Sequence, residues 1–462
     1  MLAAINEFLW GQLLIVVLLG VGVLFTVSSR FVQFRYFGRM FGVLRGAMHH
    51  EKGHISSFQA LVVSVAGRVG GGNIAGVAVA ITLGGPGAIF WMWVIGLMGM
   101  ATSFFECSLA QLYKRAEPDG TYRGGPAYYL HHGIQQRWLA LIYSVLLLVT
   151  FGLGFNAVQS YVVATSLQAS FGIPTWLSGL TTVAVLGVVI FGGIKRIALV
   201  AEFVVPVMAV GYFACAVVVI GLNLSEVPAL LVHIVQSAFG LDSAVGGGIG
   251  VAIMQGVKRG LFSNEAGLGS APNVAAVAFV PHPANQGIVQ AFSVFIDTII
   301  MCSCTAIIIL LSDVYQAGGA DVSGVALTQS ALASHVGAWG GGFVSVALVL
   351  FALSSMMYNY YLGENSLNYF SEENTTLFNV FRAAVLGLIL WGSVQDLGTV
   401  FGFADVTMGF LALVNLLGLV WMYKIGMRLL RDYDGQLASG IEPRLRKEDY
   451  HDLDIDVTAW PD

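Results

Sequence analysis

Two polar segments interrupt long apolar runs of this sequence and share one pattern. Residues 68–76 read R-V-G-G-G-N-I-A-G and residues 259–267 read R-G-L-F-S-N-E-A-G, so both fit R-x4-N-x-A-G. Adjacent glycines disfavour a helix by about 1 kcal/mol each. A helix that breaks here leaves backbone N–H groups that suit a carboxylate and carbonyl groups that suit Na⁺ or an ammonium. The two segments are therefore candidates for a site that binds a small zwitterion and a cation.

The glycines 70–72 allow one other interpretation, a packing face that lets two helices approach closely. Such packing requires neither three adjacent glycines nor the flanking Arg68 and Asn73. A nucleotide-binding loop is excluded, because the glycine run lacks the following Lys-Ser/Thr of a P-loop and does not open a helix after a strand. No nucleophile–base pair or metal constellation is evident in the apolar runs, so we expect the protein not to be an enzyme.

Composition predicts what surrounds these segments. Of the 462 residues, 57% are hydrophobic and 10% are charged, whereas a soluble domain has roughly 25% charged residues. A lipid bilayer accepts that much apolar surface, so we predict an all-α integral membrane protein of about eleven transmembrane helices. Two shorter apolar stretches, 225–238 and 325–336, are expected to be re-entrant or interfacial helices. The predicted spans are 7–27, 56–82, 87–113, 137–168, 174–193, 196–221, 248–279, 287–312, 341–367, 376–396 and 399–423.

The positions of the two polar segments predict an inverted repeat. Segment 68–76 lies in the second span and segment 259–267 in the seventh, so the two segments cross the membrane in opposite directions. This arrangement is typical of a five-plus-five inverted repeat with two discontinuous helices. It divides the chain into a first span with a basic loop, two five-helix repeats, and a cytoplasmic tail, which we expect to be solvated or partly disordered from residue 432 onward. The corresponding boundaries are 1–55, 56–221, 222–423 and 424–462.

The basic residues predict the orientation. Seventeen of the 21 Lys and Arg residues lie in loops 28–55, 114–137 and 194–196 and after residue 423, all on one side if the span count is right. The positive-inside rule then places the N-terminus outside and the C-terminus in the cytoplasm. The short loops fit a prokaryotic plasma (inner) membrane best. The net charge of −5 argues against a nucleic-acid partner.

Two longer motifs resemble a known family. Residues 84–94 (G-G-P-G-A-I-F-W-M-W-V) and 259–272 (R-G-L-F-S-N-E-A-G-L-G-S-A-P) are similar to signatures of the sodium:alanine (alanine or glycine:cation) symporters. The resemblance implies a leucine-transporter-like fold, with spans 2–6 and 7–11 as the inverted repeats. It also implies uptake of alanine or glycine driven by Na⁺. Composition and spacing alone indicate only a site for a small zwitterion and a cation.

Substrate-binding roles follow from the breaks and from the resemblance. We expect the substrate carboxylate to meet backbone N–H groups around Gly71 and Gly72, and Phe262 and Ala266 to keep the side-chain pocket small. Gln159 resembles a substrate-contacting glutamine of the family. Ordinary core packing of Phe262 and interhelical hydrogen bonding by Gln159 remain open. The expected substrate-binding residues are Gly71, Gly72, Asn73, Gln159, Phe262, Ser263, Ala266, Ser355 and Asn359.

The cation needs oxygen ligands, because Na⁺ is a hard cation. The paired hydroxyls of Ser354 and Ser355 in span 9, with the carbonyls of Val69 and Gly72, would supply most of an oxygen cage. Either serine could instead donate back to its own helix.

Charged residues within the spans are expected to form buried pairs that hold the broken helices in place, since an acid at a helix centre costs roughly 2.5–3.5 kcal/mol on insertion scales. A proton-coupled transporter of the same fold, and a channel or sensor, are the alternative functions. The candidate partners are the acids Glu106, Glu202, Glu265, Asp297 and Asp405 and the bases Arg68, Lys258 and Arg259.

Overall fold

The structure is a computed structural model that describes residues 2–47, 55–118, 120–191, 193–240, 248–315, 324–371 and 374–460. Parts of the predicted loop 28–55 and of the loops around 242 and 321 therefore lie outside the described residues. Apart from a two-residue antiparallel pairing of β1 (Arg115–Ala116) with β2 (Tyr122–Arg123), the described elements are helices.

Long apolar helices dominate the described chain. Eight of them are long and apolar enough to cross a membrane, or nine if the bent pair Ser57–Arg68 and Gly72–Gly84 is one span. In chain order the helices are α1 (Ala4–Ser28), α2 (Val32–Arg35), α3 (Phe37–Ala47), α4 (Ser57–Arg68), α5 (Gly72–Gly84), α6 (Gly87–Leu112), α7 (Pro126–Tyr128, continued by a π-helical turn Tyr129–Gly133), α8 (Arg137–Phe171), α9 (Thr175–Ile190), α10 (Gly193–Leu222), α11 (Val227–Ala238), α12 (Gly248–Asn264), α13 (Ser270–Ala275), α14 (Pro283–Leu310), α15 (Val325–Val336), α16 (Trp339–Phe370), α17 (Thr375–Ser393), α18 (Leu397–Trp421) and α19 (Tyr423–Ala438).

Each of the eleven predicted spans coincides with helical structure. Nine correspond to the eight long helices and the bent pair, while predicted spans 174–193 and 248–279 correspond to the shorter α9 and to the interrupted α12 and α13. The all-helical membrane fold with discontinuous helices is thus confirmed, whereas the number eleven and the inverted repeat stay predictions. Both short apolar stretches are helical, as α11 and α15.

The first break follows the three glycines. A capping box between Ser56 and Gln59 starts α4, which ends at Arg68, and Val69 is extended at φ −78° and ψ 92°. The chain resumes as α5 after a bend of 48°, and its first turn is π-helical. The glycine run therefore ends one helix and starts another, as the sequence predicts.

The second break uses left-handed backbone. After α12 ends at Asn264, Glu265, Gly267 and Gly269 have φ values of +57°, +96° and +79°. Glycine adopts this conformation readily, but a residue with a side chain loses roughly 1–2 kcal/mol. Glu265 is held in it by hydrogen bonds that Ser270 and Tyr358 donate to its carboxylate, at 2.6 and 3.2 Å.

Residues 432–460 are ordered and partly packed against the bundle, so the prediction of partial disorder from residue 432 onward is wrong for the described residues, although many of their side chains are exposed. Tyr450, Ala459 and Trp460 are buried, and the Leu445 N–H donates to the Pro281 carbonyl at 2.9 Å. Composition misled here because three of the tail's acids pair with basic residues on distant loops and a fourth pairs within the tail. The ion pairs are Arg35–Asp434 (2.8 Å), Arg39–Glu442 (3.2 Å), Arg115–Asp454 (3.0 Å) and Arg428–Asp452 (2.8 Å).

These contacts place residues 30–47, residues 114–118 and 120–137, and the tail 423–460 at one end of the bundle, which we name the basic end. Lys114 illustrates how closely the tail packs there. Its ammonium lies 4.1 Å from the ring centroids of both Tyr122 and Trp460.

Candidate functional site

The first break presents two backbone N–H groups whose partners are side chains. The Gly70 N–H donates to Asn73 Oδ1 at 2.8 Å, and the Gly71 N–H donates to Gln159 Oε1 at 2.9 Å. Gln159 comes from α8, so the predicted mid-span glutamine does reach the predicted break. An amide oxygen at this position has the geometry that a carboxylate oxygen would need to accept the same hydrogen bond.

The glycines of this break are enclosed by the other predicted residues. A Cβ on Gly70 would overlap Ser355 Oγ and lie 2.9 Å from Gln159 Nε2, and one on Gly72 would lie 3.1 Å from Phe262 Cδ1. Side chains from α8, α12 and α16 therefore meet at residues 70–72. The glycines therefore do allow neighbouring side chains to approach the backbone closely, as the packing interpretation holds. They also form the break between α4 and α5.

Asp297 of α14 joins the two breaks, and sequence reasoning did not place it in the site. Its carboxylate accepts from Asn73 Nδ2 at 2.7 Å and from Ser263 Oγ at 2.9 and 3.1 Å. Thr298 Oγ1 adds a third donor at 2.8 Å. Asn73 and Ser263, both predicted to bind substrate, thus also bind this buried acid. The only signal in the sequence was a carboxylate within a predicted span.

The second break is held by a separate polar cluster. Glu106 of α6 accepts from the Gly267 N–H at 3.3 Å and from Asn415 Nδ2 at 3.1 Å, and the same Asn415 amide donates to the Gly267 carbonyl at 2.9 Å. Tyr129 donates to Asn415 Oδ1. The freed backbone groups of residue 267 are therefore bound on both sides, as a break inside a membrane requires.

Phe262 packs against two other phenylalanine rings. The Phe262 ring lies 4.7 Å from that of Phe155 and 5.4 Å from that of Phe401. The Arg259 guanidinium lies 4.9 Å from the Phe401 centroid and binds both carboxylate oxygens of Asp405, at 3.2 and 2.8 Å.

Asp405 is also paired with Lys258 at 2.7 Å. Buried ion pairs were expected beside the breaks, and the described residues include two of them, in which Lys258 and Arg259 share the carboxylate of Asp405. Arg68, in contrast, donates to neutral groups: Ser293 Oγ, the Gln290 carbonyl at 3.1 Å and Ser103 Oγ at 3.0 Å.

The two predicted cation-binding serines lie against the end of α4. Ser355 Oγ donates to the carbonyls of Ala66 at 3.0 Å and Gly67 at 3.1 Å, and Ser354 Oγ lies 3.3 Å from the Ala66 carbonyl. Both hydroxyls also reach the Phe351 carbonyl of their own helix, so the back-bonding alternative is present as well. The carbonyls that they meet lie just before Val69.

Two further predicted residues have distinct surroundings. Asn359, one turn after Ser355, is buried, and neither atom of its amide has a hydrogen-bond partner within the described residues. Ala266 donates its N–H to Asn264 Oδ1 at 3.0 Å, and a Cβ on Gly99 would lie 2.9 Å from Ala266 Cβ. Ala266 therefore packs against α6.

Curated relatives match nearly the whole chain. The probable sodium/glutamine symporter GlnT of Bacillus subtilis is 46% identical over 99% of this chain and 95% of its own length. The amino-acid carrier protein AlsT of the same organism is 42% identical over 99% and 96%. The sodium/proton-dependent alanine carrier protein of Bacillus sp. strain PS3 is 38% identical over 86% and 92%.

Solved structures show the fold. A Na⁺-coupled sialic acid symporter matches with a TM-score of 0.51 at 14% identity, over 90% of this chain and 84% of that one. A manganese transporter of Eremococcus coleocola also matches at 0.51, with 13% identity over 84% and 81%. The fold is thus that of leucine-transporter-like membrane transporters, and neither of these proteins is an enzyme.

The family comparison covers both breaks and every residue that encloses them. The model of the sodium:alanine symporter family matches residues 1–447. Together with the relatives, this match shows that the chain belongs to the sodium:alanine symporter family.

Proposed function

We propose that this protein imports a small neutral amino acid, alanine or glycine, by Na⁺-coupled symport and alternating access. The observation that carries the proposal is the Gly71 N–H at the first break, which donates to the Gln159 amide oxygen at 2.9 Å. We further propose a plasma-membrane location with the N-terminus outside and the basic end in the cytoplasm, as the charge pattern predicts.

The substrate carboxylate would replace the Gln159 oxygen at the Gly71 N–H and extend to Gly72. A half-helix terminus favours a negative group there, through its free N–H groups and its dipole. The ring of Phe262 would limit the volume left for the substrate side chain, because it already lies within van der Waals reach of Gly72. A bulky side chain would then be excluded by overlap.

Glutamine is a second candidate substrate, and Asn359 is the observation that favours it. The amide of Asn359 is buried one turn from Ser355 and has no hydrogen-bond partner among the residues that the structure describes. A buried amide without a partner costs about 1–3 kcal/mol, and a substrate with a polar side chain would recover part of that cost. The relative GlnT is named as a probable sodium/glutamine symporter.

The Na⁺ ion would bind at the end of α4, among oxygens that fit a hard cation. The carbonyls of Ala66 and Gly67 belong to the last turn of that helix and lack the usual partners four residues on. Ser355 already contacts both of them. Ser354 and the Val69 carbonyl would add oxygens at the negative end of the α4 dipole. The Gly72 carbonyl, the fourth predicted ligand, begins α5 and accepts from the Val77 N–H, so it would have to bind the ion with its remaining lone pair. Because the amino acid binds at the same break, cation and substrate should raise each other's affinity equally.

Uptake of labelled alanine, glycine and glutamine into proteoliposomes tests the proposal. We expect an inward Na⁺ gradient to drive accumulation of alanine or glycine. A pH gradient that drives uptake without Na⁺ would instead identify the proton-coupled alternative. Uptake whose rate depends on neither gradient would contradict symport. Unitary currents in electrical recordings would identify a channel.

Replacing Ser355 by alanine tests the cation site. We expect Ser355→Ala to raise the half-saturating Na⁺ concentration roughly tenfold, since a ligand hydroxyl to a charged partner contributes about 1.5–3 kcal/mol. Ser366→Ala is the matched control, because this buried serine on the same helix donates to the Leu362 carbonyl at 3.1 Å and to no other described residue. An unchanged Na⁺ dependence in Ser355→Ala would remove this serine from the site.

Replacing Asp297 by asparagine tests whether this acid positions both breaks. The variant keeps an acceptor for Asn73 and Ser263 but loses the charge, and hydrogen bonds to charged groups are about twice as strong as neutral ones. We expect the half-saturating substrate concentration to rise roughly tenfold, from a loss of about 1.5 kcal/mol. Thr298→Val is the control, because Thr298 binds the same carboxylate without belonging to either break. Equal effects in both variants would show that Asp297 only stabilises the fold.

A further inference from the structure

A cavity at the basic end lies between the end of α1 and the tail helix α19. It has a volume of about 230 Å³ and is lined by the arginines 30, 35 and 431 and by one acid, Asp434. The remaining lining residues are Ser28, Ser29, Met427 and Leu430. None of its lining residues belongs to either break or to the proposed substrate and cation sites.

The charges around this cavity do not balance. Asp434 pairs with Arg35 at 2.8 Å and also accepts from the Tyr36 hydroxyl. Within the part of the chain that the structure describes, Arg30 and Arg431 have no ion-pair partner. Three guanidinium groups against one carboxylate leave two positive charges in a concave site. In such a site, one arginine guanidinium can donate two parallel hydrogen bonds to two oxygens of the same phosphate.

The position of the cavity indicates where its ligand comes from. Its first wall is the last turn of α1, a helix that spans the membrane, so the cavity opens where the hydrocarbon core ends. Beside it, Phe31 and Phe34 are 50% and 57% exposed, and their ring centroids lie 6.4 Å apart. Phenylalanine is one of the apolar side chains that interfacial segments bury at the boundary between lipid headgroups and acyl chains. A ligand with both a phosphate and an acyl region would contact both features.

The opposite wall is an amphipathic helix. One face of α19 is buried through residues such as Leu429, Leu430 and Tyr433, whereas Lys424 and Arg431 are exposed. A helix of this kind, directly after a transmembrane helix, carries the basic residues that recognise anionic lipids. The turn before α2 is fixed by hydrogen bonds of the Phe31 N–H to Thr26 at 2.7 Å and of the Val32 N–H to Ser29 Oγ at 3.2 Å.

We propose that this cavity binds the phosphate of an anionic phospholipid headgroup, held by Arg30 and Arg431. Arg35 would remain paired with Asp434 and add to the local positive potential. The bound lipid would join the end of α1 to the tail helix α19. This inference does not depend on the transported substrate or the coupling ion.

Lipid titration followed by native mass spectrometry tests the proposal on the full-length protein in neutral detergent. We expect phosphatidylglycerol to bind more tightly than phosphatidylcholine. The variant R30Q/R431Q should bind phosphatidylglycerol roughly thirtyfold more weakly, since each basic residue near an anionic surface contributes about fivefold. The control R444Q/R446Q removes the same charge from exposed tail positions outside the cavity and should bind like the wild type.

Three outcomes would overturn the proposal. One is unchanged phosphatidylglycerol binding in R30Q/R431Q, and another is equal loss in the control variant, which would indicate a general charge effect. The third is displacement of the lipid by millimolar inorganic phosphate, which would identify a site for a free anion. If the double variant does not fold, R431Q on the exposed face of α19 carries the same test, with an expected loss of about fivefold.

Discussion

Replacing Gly70 by alanine is expected to abolish uptake. The added methyl group would overlap Ser355 Oγ and lie 2.9 Å from Gln159 Nε2 and 3.3 Å from Ser355 Cβ. The break would have to shift away from both of these side chains, and misplacement of a bound substrate by about 1 Å can cost roughly a hundredfold in rate. The initial rate of amino-acid uptake in proteoliposomes measures the effect.

Gly76→Ala is the control for this change. It adds the same methyl group six residues further on, but the nearest neighbour of that methyl group outside the local chain is Phe262 Cδ1 at 3.9 Å. We expect Gly76→Ala to transport normally. If Gly70→Ala transports as well as Gly76→Ala, the enclosure of the first break by Ser355 and Gln159 has no functional role.

Replacing Asp405 by asparagine is expected to destabilise the protein by about 3–5 kcal/mol, because removal of one partner leaves a buried charge uncompensated. Here one substitution leaves two bases without an ion-pair partner, because Lys258 and Arg259 share this carboxylate at 2.7 and 2.8 Å. Their side chains are only 8% and 5% exposed, so water cannot replace the lost partner. A lower melting temperature and a lower yield of monodisperse protein are the expected results.

Asp396→Asn is the matched control, with the same chemical change on the same helix. Asp396 is the exposed N-cap of α18 and accepts from the Thr399 N–H at 2.9 Å, a role that asparagine fills equally well. Lys258→Met should fall between the two variants, because Arg259 would keep Asp405 as its partner. A melting temperature in Asp405→Asn equal to that in Asp396→Asn would contradict the assigned pairing.

The helices and their breaks could be predicted from local sequence, because each depends on residues that are adjacent in the chain. Apolar runs are long enough to cross a bilayer, and three adjacent glycines do not continue a helix inside it. The second break was also predictable in position, but not in form. The left-handed conformation of Glu265 depends on Ser270 and Tyr358, and Tyr358 lies 93 residues further on.

The polar contacts of the site could be predicted only as a set of candidates. Asp297 is one of five acids within the predicted spans. It belongs to the site because the fold places it beside Asn73, which lies 224 residues away in the sequence. Similarly, nothing local distinguishes Asp405 from the other acids as the partner of Arg259. The tail shows the same limit, since its composition is typical of a solvated segment and its burial depends on loops near the start of the chain.

The folded tail also has a consequence for the order in which the molecule is assembled. Arg35 and Asp434, which pair at the basic end, lie 399 residues apart. A ribosome therefore releases the first loops long before their partners exist, and domains form from the N-terminus during synthesis. The helices can enter the bilayer one after another, but the basic end is packed only after Asp434 and the buried Trp460 have emerged. Packing of the basic end is therefore a later step than insertion of the first helices.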